Sequence, residues 1–173
     1  MDEYRRQAII DEIPRLRRYA RALLRDRDAA DDLVQDCLER ALSRIESWTT
    51  GDSPRRWLFT IMHHLFVDQL RRAKRHVQAV AMMPETIDAL ASPPPQTDKL
   101  ASAEVLAALQ QIGPERRAAL VLVAVEGFSY ADAANVLGIP AGTLMSRIAR
   151  GREELRSILD DVSRRKMIKV VEK

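Results

Sequence analysis

Apolar residues in the first half of this chain recur every three or four positions. Leu16, Tyr19, Ala20 and Leu23 follow Pro14 at that spacing and predict a first helix. A second is predicted from about Asp28 to Ile45, with Ala30, Leu33, Val34, Cys37, Leu38, Ala41 and Leu42 turned inward. Asp28 and Asp31 near its start suit the positive end of the helix dipole. A third opens on Ser53 and Pro54, an N-cap and first-turn pair, and runs through "RRWLFTIMHHLFVDQLRRAKR".

In the second half, "YADAANVLGIPAGTLMSRIARGR" (130–152) joins two short helical patterns at a glycine. Before the junction, Tyr130, Ala133, Ala134 and Val136–Leu137 give one apolar face, and Ala134 is small enough for a close helix crossing. After it, Leu144, Ile148 and Leu155 recur at helical spacing, while Thr143, Ser146, Arg147 and Arg150 fall opposite. Gly138 at the junction permits the left-handed conformation that a tight interhelical turn needs. The pattern is that of a helix-turn-helix whose second helix keeps a polar, cationic face for a DNA major groove. Taken alone, the segment also fits an ordinary surface αα-hairpin.

Composition supports helices throughout. Aromatic residues are only 5% of the 173, against 46% hydrophobic overall, so the cores must be built from Leu, Ile, Val and Ala. With six glycines and no run of alternating β-branched residues, the expected fold class is all-α. The stretch "LASPPPQTDKLAS" (90–102) puts three prolines between helical regions, which should leave it extended and semi-rigid. The expected organisation is a domain over 1–80, a linker over 81–101, a helix-turn-helix domain over 102–160 and a charged tail over 161–173 that continues the last helix or frays.

Net charge is only +3, so partners are better argued by segment. Asp32, Gln35, Asp36 and Glu39, at offsets of three, four and seven, make an acidic face opposite the core of the second helix. A solvated face and a basic protein partner compete as explanations. In the third helix, Trp57, Phe59 and Phe66 are interleaved with His63 and His64, and His64, Asp68, Arg71, Arg72 and Arg75 share one side. Cations attract phosphate through counterion release, and aromatic rings stack on unpaired bases, although Trp57 and Phe59 also suit a core.

Catalysis finds no support in the sequence. Adjacent histidines on a helix point in different directions, so His63–His64 is a poor metal spacing, and no glycine-rich phosphate loop, nucleophile elbow or zinc cysteine pair occurs. No catalytic residue, metal or cofactor is expected. The lone Cys37 excludes an internal disulfide and falls at a core position. Without a long apolar run, no membrane insertion is expected, and the chain should be soluble and cytoplasmic.

Together these segments resemble the extracytoplasmic-function (ECF) sigma factors of bacterial RNA polymerase. "DAADDLVQDCLERAL" (28–42) looks like their region 2.2, "PRRWLFTIMHHLFVDQLRRAKR" (54–75) like regions 2.3 and 2.4, and 112–156 like region 4. The resemblance spans nearly the whole chain except the linker and tail. It implies that the face of Asp32, Gln35, Asp36 and Glu39 docks on the clamp of the polymerase core. It further implies that Trp57, His63, His64, Asp68, Arg71, Arg72 and Arg75 serve promoter melting and the minus-ten element. Thr143, Ser146, Arg147, Arg150 and Arg152 would meet the minus-thirty-five element. An anti-sigma factor and a stress-response regulon are implied by the family alone. His63–His64 stands where many members have Arg-Asn, and Met145 where many have lysine. The rival readings are a two-domain helix-turn-helix regulator, and a sigma mimic that sequesters an anti-sigma factor without binding DNA; arginines in both DNA-facing segments argue against the mimic.

Overall fold

The computed structural model describes the backbone of residues 3–49, 51–80 and 99–171, and side chains over 3–49, 51–76 and 103–164. Seven α-helices occur in that span and no strand: α1 Glu3–Leu23, α2 Arg27–Ser43, α3 Pro54–Val80, α4 Lys99–Leu109, α5 Pro114–Leu120, α6 Tyr130–Leu137 and α7 Ala141–Val171. A 3-10 turn, Ile45–Ser47, follows α2, and a π-helical turn, Val121–Val125, extends α5. The proline stretch expected to form the linker lies outside the described residues up to position 98.

Helices α1 to α3 form one bundle. Leu16, Tyr19, Leu23, Leu33, Cys37, Leu58, Phe59, Met62 and Phe66 interlock at its centre, each at most 1% exposed. Burial pushes the Cys37 thiol up to about 12 and keeps it protonated, with its Sγ 3.5 Å from the Leu58 carbonyl oxygen. Ser53 and Pro54 start α3 as expected, the Ser53 hydroxyl lying 3.4 Å from the Arg56 amide. The second bundle, α4 to α7, packs around Ile112, Leu122, Val136, Leu144 and Ile148. In the continuation to Val171, α7 carries the backbone of the charged tail as helix.

Several sequence expectations need correction. The first helix does not wait for Pro14 but runs through it. Proline costs an interior helix one bond to the carbonyl four residues earlier, and here that carbonyl belongs to Ile10, on the exposed side where water can take it. Leu42, expected in the core, is 45% exposed. Each step of four residues advances about 40° around a helix, so the row Val34, Leu38, Leu42 rotates out of the buried stripe. Tyr130 is 39% exposed because it is the first residue of α6, ahead of the turn that buries Ala133 and Ala134.

Candidate nucleic-acid interface

The interhelical turn is built as its sequence requires. Ser129 caps α6 by accepting from the Asp132 amide at 3.0 Å, and its hydroxyl donates to the Asp132 carboxylate at 2.6 Å. That hydroxyl, followed by Arg56 at 3.3 Å, holds the Asp132 carboxyl below the usual carboxylate range. The other end closes on Gly138 at φ +63, its amide bonding back to the Ala134 and Asn135 carbonyls. Pro140 then leads into α7, where Leu144 and Ile148 are buried against the bundle.

The opposite face of α7 presents Ser146, Arg150 and Arg152 to solvent, with Thr143 half-buried beside them. Met145 stands 52% exposed on the same helix, an apolar group of the kind that meets a thymine methyl. Arg147 is placed differently. Its guanidinium lies 2.6 Å from the Glu115 carboxylate, and the side chain is only 24% exposed. It lines a cleft of about 170 Å³ whose other wall is α3, through His63, Phe66, Val67 and Leu70.

Helix α3 therefore has two distinct ends. Near its described C-terminal end, Asp68, Arg71, Arg72, Lys74 and Arg75 surround an open cationic concavity, and His64 is exposed on the same side. Among the described residues Asp68 pairs with Arg71, at 3.7 Å, and the four cations around it outnumber that one carboxylate. Of the two other residues assigned to DNA on sequence, His63 is buried and Trp57 is half-buried. His63 is 9% exposed, its Nδ1 has no partner among the described residues, and its pKa falls to about 4. Burial is the main cause, followed by the charges of His64 and Arg147. Trp57 stacks on the buried Trp48 at 5.9 Å and packs against the core.

On α2, Asp32, Gln35, Asp36 and Glu39 are all exposed, and Gln35 donates to Glu39 at 3.0 Å. Leu42 joins them, within about 20° of Gln35 around the helix, and turns a purely polar face into one with an apolar contact point. The spacing of seven between Gln35 and Leu42 carried that signal, but the leucine was taken for core.

What the sequence did not announce is how the two bundles meet. Arg18 of α1 grips Glu126 through two bonds of 2.8 Å, and Glu126 is wholly buried. Arg55 reaches the Glu126 carbonyl and lies 4.4 Å from the Phe128 ring centre. Phe59 meets Phe128 edge-on at 5.1 Å, and Arg56 bridges Asp52 and Asp132. Arg117 and Gln110 donate to the Leu23 and Ala22 carbonyls at 2.8 and 2.9 Å, so groups of the second bundle satisfy the C-terminal end of α1. No helix in the described residues is long and apolar enough to cross a membrane. Among them, no group of three His, Cys, Asp or Glu residues could hold a metal ion.

Comparison with known proteins accounts for both bundles. Residues 9–63 match the Sigma2 domain of PhyR, and residues 102–155 match Sigma-70, region 4. The chain is 41% identical over 155 residues to the ECF RNA polymerase sigma factor EcfG of Rhodopseudomonas palustris, covering 89% of this chain and 84% of that one. It is 32% identical to the RNA polymerase sigma factor CarQ of Myxococcus xanthus, covering 86% of this chain and 85% of that one. Its structure matches that of the sigma factor RpoE of Bartonella quintana, solved in complex with the anti-sigma factor NepR. The TM-score is 0.78 at 35% identity, over 90% of this chain and 96% of that one.

Proposed function

The chain belongs to the extracytoplasmic-function sigma factors of RNA polymerase, and from that premise we propose that it is a dissociable subunit conferring promoter recognition, strand opening and initiation on the core polymerase. The observation that carries this reading is one chain holding both a region 2 match over 9–63 and a region 4 match over 102–155. A sigma factor catalyses no reaction itself, and this one works in the cytoplasm, where bacterial polymerase and promoter DNA are found.

Residues 1–80 would form the region 2 domain, 81–101 the linker, 102–160 the region 4 domain and 161–173 a helical tail. The exposed Asp32, Gln35, Asp36, Glu39 and Leu42 would bind the polymerase clamp. His64, Asp68, Arg71, Arg72 and Arg75 would hold the strand being melted at the minus-ten element, with phosphate neutralisation giving affinity. Trp57 acts there as a support for the start of α3, and His63 as a packing residue. Thr143, Ser146, Arg147, Arg150 and Arg152 would contact the minus-thirty-five duplex, Arg147 at a base edge and Arg150 and Arg152 at phosphates. A NepR-type anti-sigma factor is the proposed negative partner, by likeness to the Bartonella RpoE complex.

The test is reconstitution. Core polymerase supplied with genomic fragments should start transcripts at a defined set of positions only when this protein is added, and a NepR-type protein should suppress them. Identical transcript starts with and without the protein would remove the sigma reading and leave a helix-turn-helix regulator.

A further inference from the structure

We propose that Met145 and Ala149 form an apolar reading strip for a thymine methyl group, so that an A·T pair of the upstream promoter element is recognised through its methyl rather than through hydrogen bonds. The inference deepens the sigma reading and rests on it. Met145 and Ala149 are both exposed near the start of α7, and Met145 stays 52% exposed although it is apolar. One helical turn separates them, about 6 Å along the axis and about 40° around it. Leu144 and Ile148 anchor the buried side of the same turns and fix where the strip points. Ala141 and Gly142 precede it, both exposed, and nothing lies within 4 Å of a carbon added at Gly142. This end of the helix is low and bare, so a base edge can come close.

The strip and its neighbour have few hydrogen-bond donors. Ser146, beside it, spends its hydroxyl proton on the Thr143 carbonyl at 2.9 Å, and Thr143 is half-buried. Methionine and alanine side chains carry no N–H or O–H. They cannot make the paired hydrogen bonds by which arginine reads guanine or glutamine reads adenine. They can cover the C5 methyl, the apolar group that an A·T pair presents in the major groove. Charge selects DNA as the occupant. Arg150, Arg152 and Arg156 are exposed beside and beyond the strip, whereas the ion pairs of α7 among the described residues use Glu154 and Arg147. Cations so placed reach phosphates and seat the strip in the groove. Glu153, one turn past Ala149, closes the strip, because a carboxylate repels phosphate oxygens. With about 3.4 Å between successive bases, a strip of about 6 Å covers at most two neighbouring pairs.

The test uses holoenzyme, core polymerase with this full-length protein, on a promoter whose transcript start has been mapped. Each thymine of the upstream element, on either strand, is replaced in turn by uracil, which deletes the methyl and keeps every hydrogen-bonding group. Competition between labelled and unlabelled promoter fragments gives the relative affinities. At one position, or two neighbouring ones, uracil should weaken binding about fourfold, the effect of one buried methyl. With Met145→Ala, an exposed change between two good helix formers, that penalty should fall below about twofold. The thymine promoter should then bind the variant about as weakly as the uracil promoter binds the parent. Parent affinities that ignore every uracil overturn the proposal, and so does a penalty that Met145→Ala leaves intact, or an upstream element with no A·T pair. In each of those cases the holoenzyme still initiates, so the sigma reading stands. Absence of any initiation dependent on this protein would instead remove the sigma reading, and this inference with it.

Discussion

His63 should make the folded chain acid-sensitive in a window set by its burial. The imidazole is 9% exposed, with the aromatic ring of Phe66 6.5 Å away and Arg147 and Glu115 lining the same cleft. Its pKa falls from 6.5 to about 4. The folded state therefore binds fewer protons than the unfolded state, and stability rises with pH across this interval. Above the unfolded value His63 is neutral in both states and costs nothing; as pH falls below it, protonation favours the unfolded chain until the folded group also protonates. At 1.36 kcal/mol per pKa unit the full penalty is about 3 kcal/mol, of which about 2 kcal/mol develops between pH 7 and pH 5. The assay is urea denaturation of the parent and of His63→Gln at both pH values. Carboxylates common to the two proteins cancel in the comparison. The parent should lose about 2 kcal/mol more than the variant. Parallel losses in the two proteins would show that His63 is not buried in solution and would refute the argument.

Three further outcomes are expected. Asp32→Arg with Asp36→Arg should weaken binding to core polymerase, while urea unfolding moves by less than about half a kcal/mol because both positions are exposed. Gly138→Ala should cost about 1 kcal/mol from left-handed backbone strain alone, since nothing lies within 4 Å of the added carbon, and Gly138→Asn should cost less; thermal denaturation orders the three. On a panel of single-base changes in the mapped upstream element, Arg147→Ala should relax preference at one or two positions, worth about 1–3 kcal/mol of discrimination. Arg150→Ala should instead weaken all variants alike and flatten the salt dependence by about one unit.

The helices themselves were legible because each buries a stripe against near neighbours. Leu33, Val34, Cys37 and Ala41 repeat at the period the helix imposes, and the core confirms them. The Gly138 turn was equally readable, because few residues other than glycine accept its φ. Errors fell where a residue obeys the period but sits at its edge or end. Leu42 drifts out of the stripe, and Tyr130 precedes it. Pro14 misled for a different reason: proline marks a helix boundary only if the lost bond cannot be made good by solvent, and Ile10 leaves its carbonyl on the wet side.

Periodicity treats one helix at a time, and so it could not find the junction. Arg18 reads as a solvated arginine on the polar side of α1, and Glu126 as one acid before a turn glycine. Only the fold brings Arg18 and Arg55 onto Glu126, and His63 into the cleft beside Arg147. The same limit explains the split in the DNA-facing assignments. Arg71, Arg72 and Arg75 lie near the described end of α3, beyond the described reach of the second bundle, and remain exposed as their sequence suggested. Arg147 and His63 lie where the bundles meet, and there Arg147 pairs with Glu115 and His63 is buried. Charge and spacing on one helix specify what a group can bind; a contact made far along the chain decides how much of it is exposed.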